Sequence, residues 1–325
     1  MGLFDLWREF MIAEKISLVE AEIKKVISGK DEIIHQVLTT ILAGGHVLLE
    51  DVPGVGKTTL AVALSKAMSL DYKRTQFTPD IMPSDVVGFC MFDKDSKEKV
   101  FVPGNILCNL YLADEINRTS SKTQSALLEA MEEGNITVEG ITRELPDPFI
   151  VIATENPIGA AGTQMLPDSQ LDRFMVRLSI GYPDAKAEIA MMKARNGANP
   201  LDQVQSVLSK EELMECRQVV SQVFVHDMIY DYIARLINET RNHPLLSLGV
   251  SPRGSLALVA MAKAHAVLDG RNYVLAEDVA DVFICTIAHR LILTPVARSQ
   301  KGNTDFIAKG ILASVQAPLL MTVSM

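Results

Sequence analysis

The residues in this chain that most directly imply a chemistry are Pro53-Gly54-Val55-Gly56-Lys57-Thr58-Thr59. Two glycines let the backbone curl so that several amide N–H groups face inward, toward phosphate oxygens. Lys57 adds a point charge for the β- and γ-phosphates, and the Thr58 hydroxyl can ligate Mg²⁺. A helix starting here would add the positive end of its dipole. The full G-x-x-x-x-G-K-[ST] spacing asks for glycine at position 51, where the chain has Asp51. The plainer reading, a glycine-rich turn, loses ground because a strand pattern precedes the segment and a helix pattern follows it.

A phosphate-gripping loop needs a carboxylate on a neighbouring strand to hold the metal, directly or through water. Asp114, at the end of Leu110-Tyr111-Leu112-Ala113, fits that need, and Glu115 beside it would orient and deprotonate the attacking water. Asn156 ends another apolar run and could hydrogen-bond the γ-phosphate or the water, although an Asn before Pro157 also suits a plain turn. Arg253 follows Ser251-Pro252, an N-cap and a first helical residue. A cation in that first turn opposes the helix dipole by ~0.3–1 kcal/mol, which a phosphate reached from this second half would offset. The alternative is a solvated arginine. Arg173, just before a buried strand, could reach a neighbouring subunit's phosphate or simply pair with Asp172.

The elements that would position these groups can be read from the pattern. Ser17-Leu18-Val19-Glu20 is a capping box, predicting a helix from there to about Gly29; a second helix fits Asp31 to Leu42. Short apolar runs at Val47–Leu49, Asn109–Ala113, Phe149–Ala153 and Phe174–Ile180 read as buried strands, with helices after Gly56 and over Lys122–Glu133. Strands alternating with helices predict a parallel sheet covered on both faces, with ligands at the carboxyl ends of its strands. Two hairpins interrupt it: one within about Pro79 to Pro103, carrying the charged tip Asp93 to Lys99, and one over Ile136 to Thr142. Phe89 and Phe92 beside that tip could grip a partner, but packing inside the hairpin is the preferred reading. Beyond Pro183 the pattern is helical: Lys210–Val223 behind a second capping box at Ser209, then Asp227–Asn242, Ser251–Leu268 and Ala276–Leu293. The expected division is therefore 1–183 and 184–325.

Composition narrows the partners. The net charge is −9, with no basic stripe, which disfavours binding along a nucleic-acid backbone. The four cysteines form no C-x-x-C pair and the six histidines no H-E-x-x-H, so neither a disulfide framework nor a zinc site is indicated. No stretch reaches the ~18 apolar residues of a membrane span, and the N-terminus lacks a signal-peptide pattern; a cytoplasmic protein is expected. No G-x-G-x-x-G follows a strand and no G-x-S-x-G elbow is present, so dinucleotide and acyl-transfer sites are disfavoured. The 15 methionines lie scattered over apolar faces and read as core filler.

Taken together, Val52 to Thr58, Ala113-Asp114-Glu115-Ile116-Asn117-Arg118, Leu127 to Glu133, Ile152 to Pro157 and Gln170 to Phe174 resemble the MoxR ATPases of the AAA+ superfamily. The resemblance runs from about Ser17 to beyond Arg253. It implies a P-loop AAA+ α/β core (1–183) with a helix-2 insert and a pre-sensor-1 hairpin, and an all-helical lid (184–325). It implies ATP and Mg²⁺, the nucleotide held by Pro53, Gly54, Val55, Gly56, Lys57, Thr58 and Thr59, and the metal by Thr58 and Asp114. Glu115 would be the base, Asn156 sensor 1, Arg173 an arginine finger and Arg253 sensor 2. It further implies a homo-oligomeric ring, expected to be a hexamer, and chaperone-like work on partners with von Willebrand factor A domains. Two departures stand out: Glu155 where glutamine is usual, and an atypical loop at Gly159 to Met165. The competing reading is a nucleic-acid-remodelling AAA+ motor, which the net charge disfavours. A regulatory switch with a crippled site is disfavoured by intact Lys57, Asp114 and Glu115.

Overall fold

A computed structural model describes residues 3–94, 97–156, 166–194, 199–300 and 302–318. The first half contains α1 (Leu3–Lys24), α2 (Asp31–Leu42), β1 (Val47–Glu50), α3 (Lys57–Ala67), β2 (Tyr72–Gln76), α4 (Pro83–Val87), β3 (Gly88–Phe92), β4 (Lys99–Pro103), β5 (Leu110–Asp114), α5 (Ser121–Glu133), β6 (Asn135–Val138), β7 (Ile141–Glu144), β8 (Ile150–Glu155), α6 (Asp168–Leu171) and β9 (Val176–Leu178). The second contains α7 (Ala185–Ala194), α8 (Lys210–Gln222), α9 (Asp227–Asn242), β10 (Leu246–Leu248), α10 (Pro252–Leu268), α11 (Ala276–Ile287), β11 (Ile292–Leu293), α12 (Pro295–Ser299) and α13 (Thr304–Ser314).

Five parallel strands form the central sheet in the order β2-β5-β8-β1-β9. Side chains alternate across a strand, so each apolar run serves two cores. Val47, Leu49, Leu110, Leu112, Ile150 and Ile152 join one core with α1, α2, α3 and the helices of the second half. Leu48, Tyr111, Ala113, Val151 and Ala153 join the other, against α5 and its surroundings. Both expected hairpins are present: β3 pairs antiparallel with β4, and β6 with β7.

The structure departs from the sequence pattern at three points. The first helix begins by Leu3, and Ser17 lies inside it, its hydroxyl donating to the Ala13 carbonyl at 2.8 Å. The stripe Ile12, Ile16, Val19 and Ile23 is buried without a break, so packing carries the helix through a local start signal. The capping box at Ser209 does form, with reciprocal bonds to Glu212. Second, β2 is an edge strand of mostly polar residues that no apolar run announces. Third, the second half is not wholly helical, since β10 and β11 form a two-stranded unit. The atypical loop at Gly159 to Met165 lies outside the described residues.

Candidate active site

β1, β8 and β5 are neighbours in the sheet, and their carboxyl ends carry the predicted groups to one edge. After β1 the chain turns through Gly54 and Gly56, at φ +88° and +100°, a region costly for any residue with a Cβ. Gly56 is the N-cap of α3; no side chain caps that helix, and its first turn holds no acid. Its leading amides thus form an anion site of the kind helix starts provide. Lys57 is buried, and its Nζ donates to the carbonyls of Asp51 (2.7 Å) and Glu155 (3.4 Å). Burial lowers the Lys57 pKa, while the nearby carboxylates of Asp51, Asp114 and Glu115 act in the opposite sense. The ammonium therefore lies within electrostatic reach of Asp114 and Glu115, as the sequence required.

Asp51, the departure from the glycine pattern, is buried and accepts from the Ser179 hydroxyl (2.9 Å), the Gly181 N–H (3.0 Å) and the Ile180 N–H. It ties the base of the loop to the chain leaving β9, so an acid is accommodated where other loops use glycine.

Asp114 is also buried. Its Oδ1 accepts from the Thr154 hydroxyl at 2.6 Å, and its Oδ2 from Arg74 Nη2 at 2.6 Å. The same Thr154 oxygen accepts the Glu115 N–H at 2.8 Å, so one hydroxyl on β8 registers both acidic residues. Glu115 adopts left-handed φ 56°, ψ 49°, a strained backbone for a non-glycine residue. Its Oε2 pairs with Arg118 Nη1 at 2.6 Å. Asn156 follows β8 on the same edge, where its carbonyl accepts from Asn117 Nδ2 at 3.2 Å. Glu155 is buried beside them, and its pKa is pushed up to about 7, chiefly by burial and then by the charge of Glu50; Arg177 pulls the other way. Its Oε1 has no hydrogen-bond partner among the described residues.

The two predicted arginines lie elsewhere. Arg173 Nε pairs with Glu132 Oε2 at 3.1 Å, and Arg253 Nη2 pairs with Glu132 Oε1. They line a cleft of about 340 Å³ with Gly45, His46, Glu132 and Met175. That cleft flanks the start of β1, whereas the glycine loop leaves its end. At ~3.3 Å per residue, the five steps from His46 to Asp51 separate them by roughly 16 Å. Arg253 therefore does not close over the chain's own loop, contrary to the expectation of a lid clamp: α10 packs behind the sheet, against α1 and α2. Asp172 does not pair with Arg173; it takes Arg290 Nε at 2.7 Å and the Ser251 hydroxyl at 2.9 Å.

Thr154, Arg74 and Glu132 escaped the sequence reading. A lone threonine at a strand end carries no signal, Arg74 sits on the unannounced β2, and Glu132 looks like one more acid on a solvated helix. Phe89 and Phe92 are 44% and 60% exposed, so the hairpin does not pack them away.

Comparison with known proteins agrees with this geometry. Residues 46–176 match the model of the ATPase family associated with various cellular activities (AAA), and residues 238–309 match an AAA lid domain. The fold and the site thus define an AAA ATPase. The chain is 36% identical over 321 residues to the chaperone MoxR1 of Mycobacterium tuberculosis, covering 95% of this chain and 85% of that one. It is 45% identical over 297 residues to the uncharacterized protein YeaC of Bacillus subtilis, covering 91% and 93%. The crystal structure of a protein from Cytophaga hutchinsonii classed as an ATPase superposes with a TM-score of 0.90 at 36% identity, over 96% of this chain and 97% of that one. The chain belongs to the MoxR family of AAA+ ATPases, enzymes that hydrolyse ATP.

Proposed function

We propose that the chain hydrolyses MgATP at the carboxyl ends of β1, β5 and β8, within a ring of like subunits, to remodel partner proteins. The observation that carries this reading is the meeting of the Lys57 ammonium and the uncapped start of α3 with the Asp114–Thr154–Glu115 linkage. Pro53 to Thr59 wrap the phosphates, and Lys57 exchanges its two carbonyl partners for the β- and γ-oxygens. Thr58 and Asp114 offer hard oxygen donors that would hold Mg²⁺, which would supply positive charge to offset that of the phosphates. Glu115 turns from Arg118 to accept a proton from the attacking water, and Asn156 orients that water. The division at about Pro183 separates this machinery from the lid.

Arg173 and Arg253 line the cleft at the start of β1, and the strand from His46 to Asp51, roughly 16 Å long, lies between that cleft and the chain's own loop. They share one cleft on the opposite side, so both serve the site of the next subunit. Turnover then requires assembly, six subunits being the expected ring, in the cytoplasm. Among the described residues no helix is long and apolar enough to cross a membrane.

For the partner we propose a protein with a von Willebrand factor A domain, on the strength of the family. Phe89, Met91, Phe92 and Ile141 are exposed on the two hairpins, which Lys99 and Glu139 join at 2.7 Å, and they offer an apolar grip. The test is capture with Glu115→Gln and ATP: a variant that binds but does not hydrolyse should retain the partner. Normal hydrolysis by that variant would refute Glu115 as the base.

A further inference from the structure

One carboxylate, Glu132, holds both arginines of the second cleft, Oε2 on Arg173 and Oε1 on Arg253. These arginines come from separate parts of the chain, one preceding β9 and the other opening α10. Their platform is fixed from behind. Asp172 takes the Ser251 hydroxyl, which caps the Arg253 helix, and the Arg290 guanidinium. Glu132 is itself fixed. The imidazole of His46 accepts the Val151 N–H on Nδ1 at 3.0 Å, so its proton sits on Nε2, which donates to the Met131 carbonyl at 3.2 Å. His46 is largely buried, and burial lowers its pKa to about 4, so this pin remains neutral near neutral pH. Glu132 therefore projects from a clamped backbone, and its two oxygens set the spacing between two guanidinium groups.

Its position in the chain adds a second point. α5 follows the acidic pair Asp114–Glu115 after a short turn at Ile116–Arg118, and Gln124 Nε2 donates to the Ile116 carbonyl at 3.1 Å. Twelve helical residues of α5, ~18 Å at 1.5 Å each, run from that turn to Glu132. One rigid rod thus joins the chain's own acidic pair to the arginines on its far side.

We propose that Glu132 is a positioning residue for the neighbour's ATP site: it spaces and aims Arg173 and Arg253 in the lending subunit. The proposal rests on the reading that both arginines act in the adjacent subunit.

Subunit mixing separates the two ideas. A lending chain carrying Lys57→Ala cannot use its own site, and a receiving chain carrying Arg173→Ala and Arg253→Ala cannot serve another. Each alone is inactive, and their mixture recovers ATPase activity if arginines are lent. Adding Glu132→Gln to the lending chain is expected to cut the recovered kcat tenfold or more, with the KM for ATP unchanged. The same substitution in the receiving chain must cost far less, since a merely structural role would harm either chain equally. Equal losses in both, undiminished recovery, or a higher kcat with Glu132→Gln would overturn the positioning role. Failure of the parent mixture to recover activity would instead refute arginine lending, and the proposal would fall with it.

Discussion

Replacing Glu155 by glutamine tests the electrostatics of the site through stability alone. The side chain is 4% exposed and faces Glu50 across the β1–β8 pairing, with Arg177 beyond; Lys57 approaches its backbone carbonyl. Its pKa is raised from 4.5 to about 7. The folded state therefore keeps a proton that the unfolded chain releases between those values. Stability falls as pH rises through that window, and the full penalty is present above it. The difference of about 2.5 units, at ~1.36 kcal/mol each, amounts to about 3 kcal/mol at pH 8.5 and under about 1 kcal/mol at pH 5. Glutamine has nearly the same shape and does not titrate. At roughly 2 °C per kcal/mol for a chain of this size, Glu155→Gln should raise the Tm of nucleotide-free protein by on the order of 5 °C at pH 8.5, and by little at pH 5. Differential scanning fluorimetry of both proteins across that range measures it. An offset independent of pH would show that Glu155 is not a buried acid held neutral, and the reasoning would fail.

Other substitutions probe the chemistry. Glu115→Gln should abolish turnover while fluorescent ATP analogues still bind; loss of binding would contradict a purely catalytic role. Thr154→Val removes the hydroxyl that holds Asp114 and the Glu115 amide. Losing a hydrogen bond to a charged group costs ~1.5–3 kcal/mol, so kcat should drop about 10- to 100-fold, with a higher magnesium requirement in titrations of activity. Arg173→Ala should lower kcat by ~10³ while leaving nucleotide affinity intact. Unchanged turnover in that variant would remove Arg173 from the reaction.

Much of the site was legible in the residue order. Glycine is needed where the loop takes positive φ, an apolar run ending in acid marks a buried strand opening at a sheet edge, and these are local demands that a sequence displays directly. Such local signals single out Lys57, Thr58, Asp114, Glu115 and Asn156 as candidates, and the order β5-β8-β1 places the strand ends that carry them along one edge. What the sequence could not reveal depends on contacts between distant segments. Ser17 looks like a helix start until the stripe from Ile12 to Ile23 is seen buried against the rest of the protein, where packing outweighs a single cap. Asp51 looks like a defect until the turn at Ser179 to Gly181 supplies its donors. The side of the sheet that receives Arg253 is fixed by where α10 packs, against α1 and α2, and no periodicity within α10 encodes that choice. Local chemistry specified which groups could act on a triphosphate; the pairing of β9 with β1 set the place of Arg173, and the docking of the second half set that of Arg253, so that both meet Glu132 at the start of β1 rather than at its end.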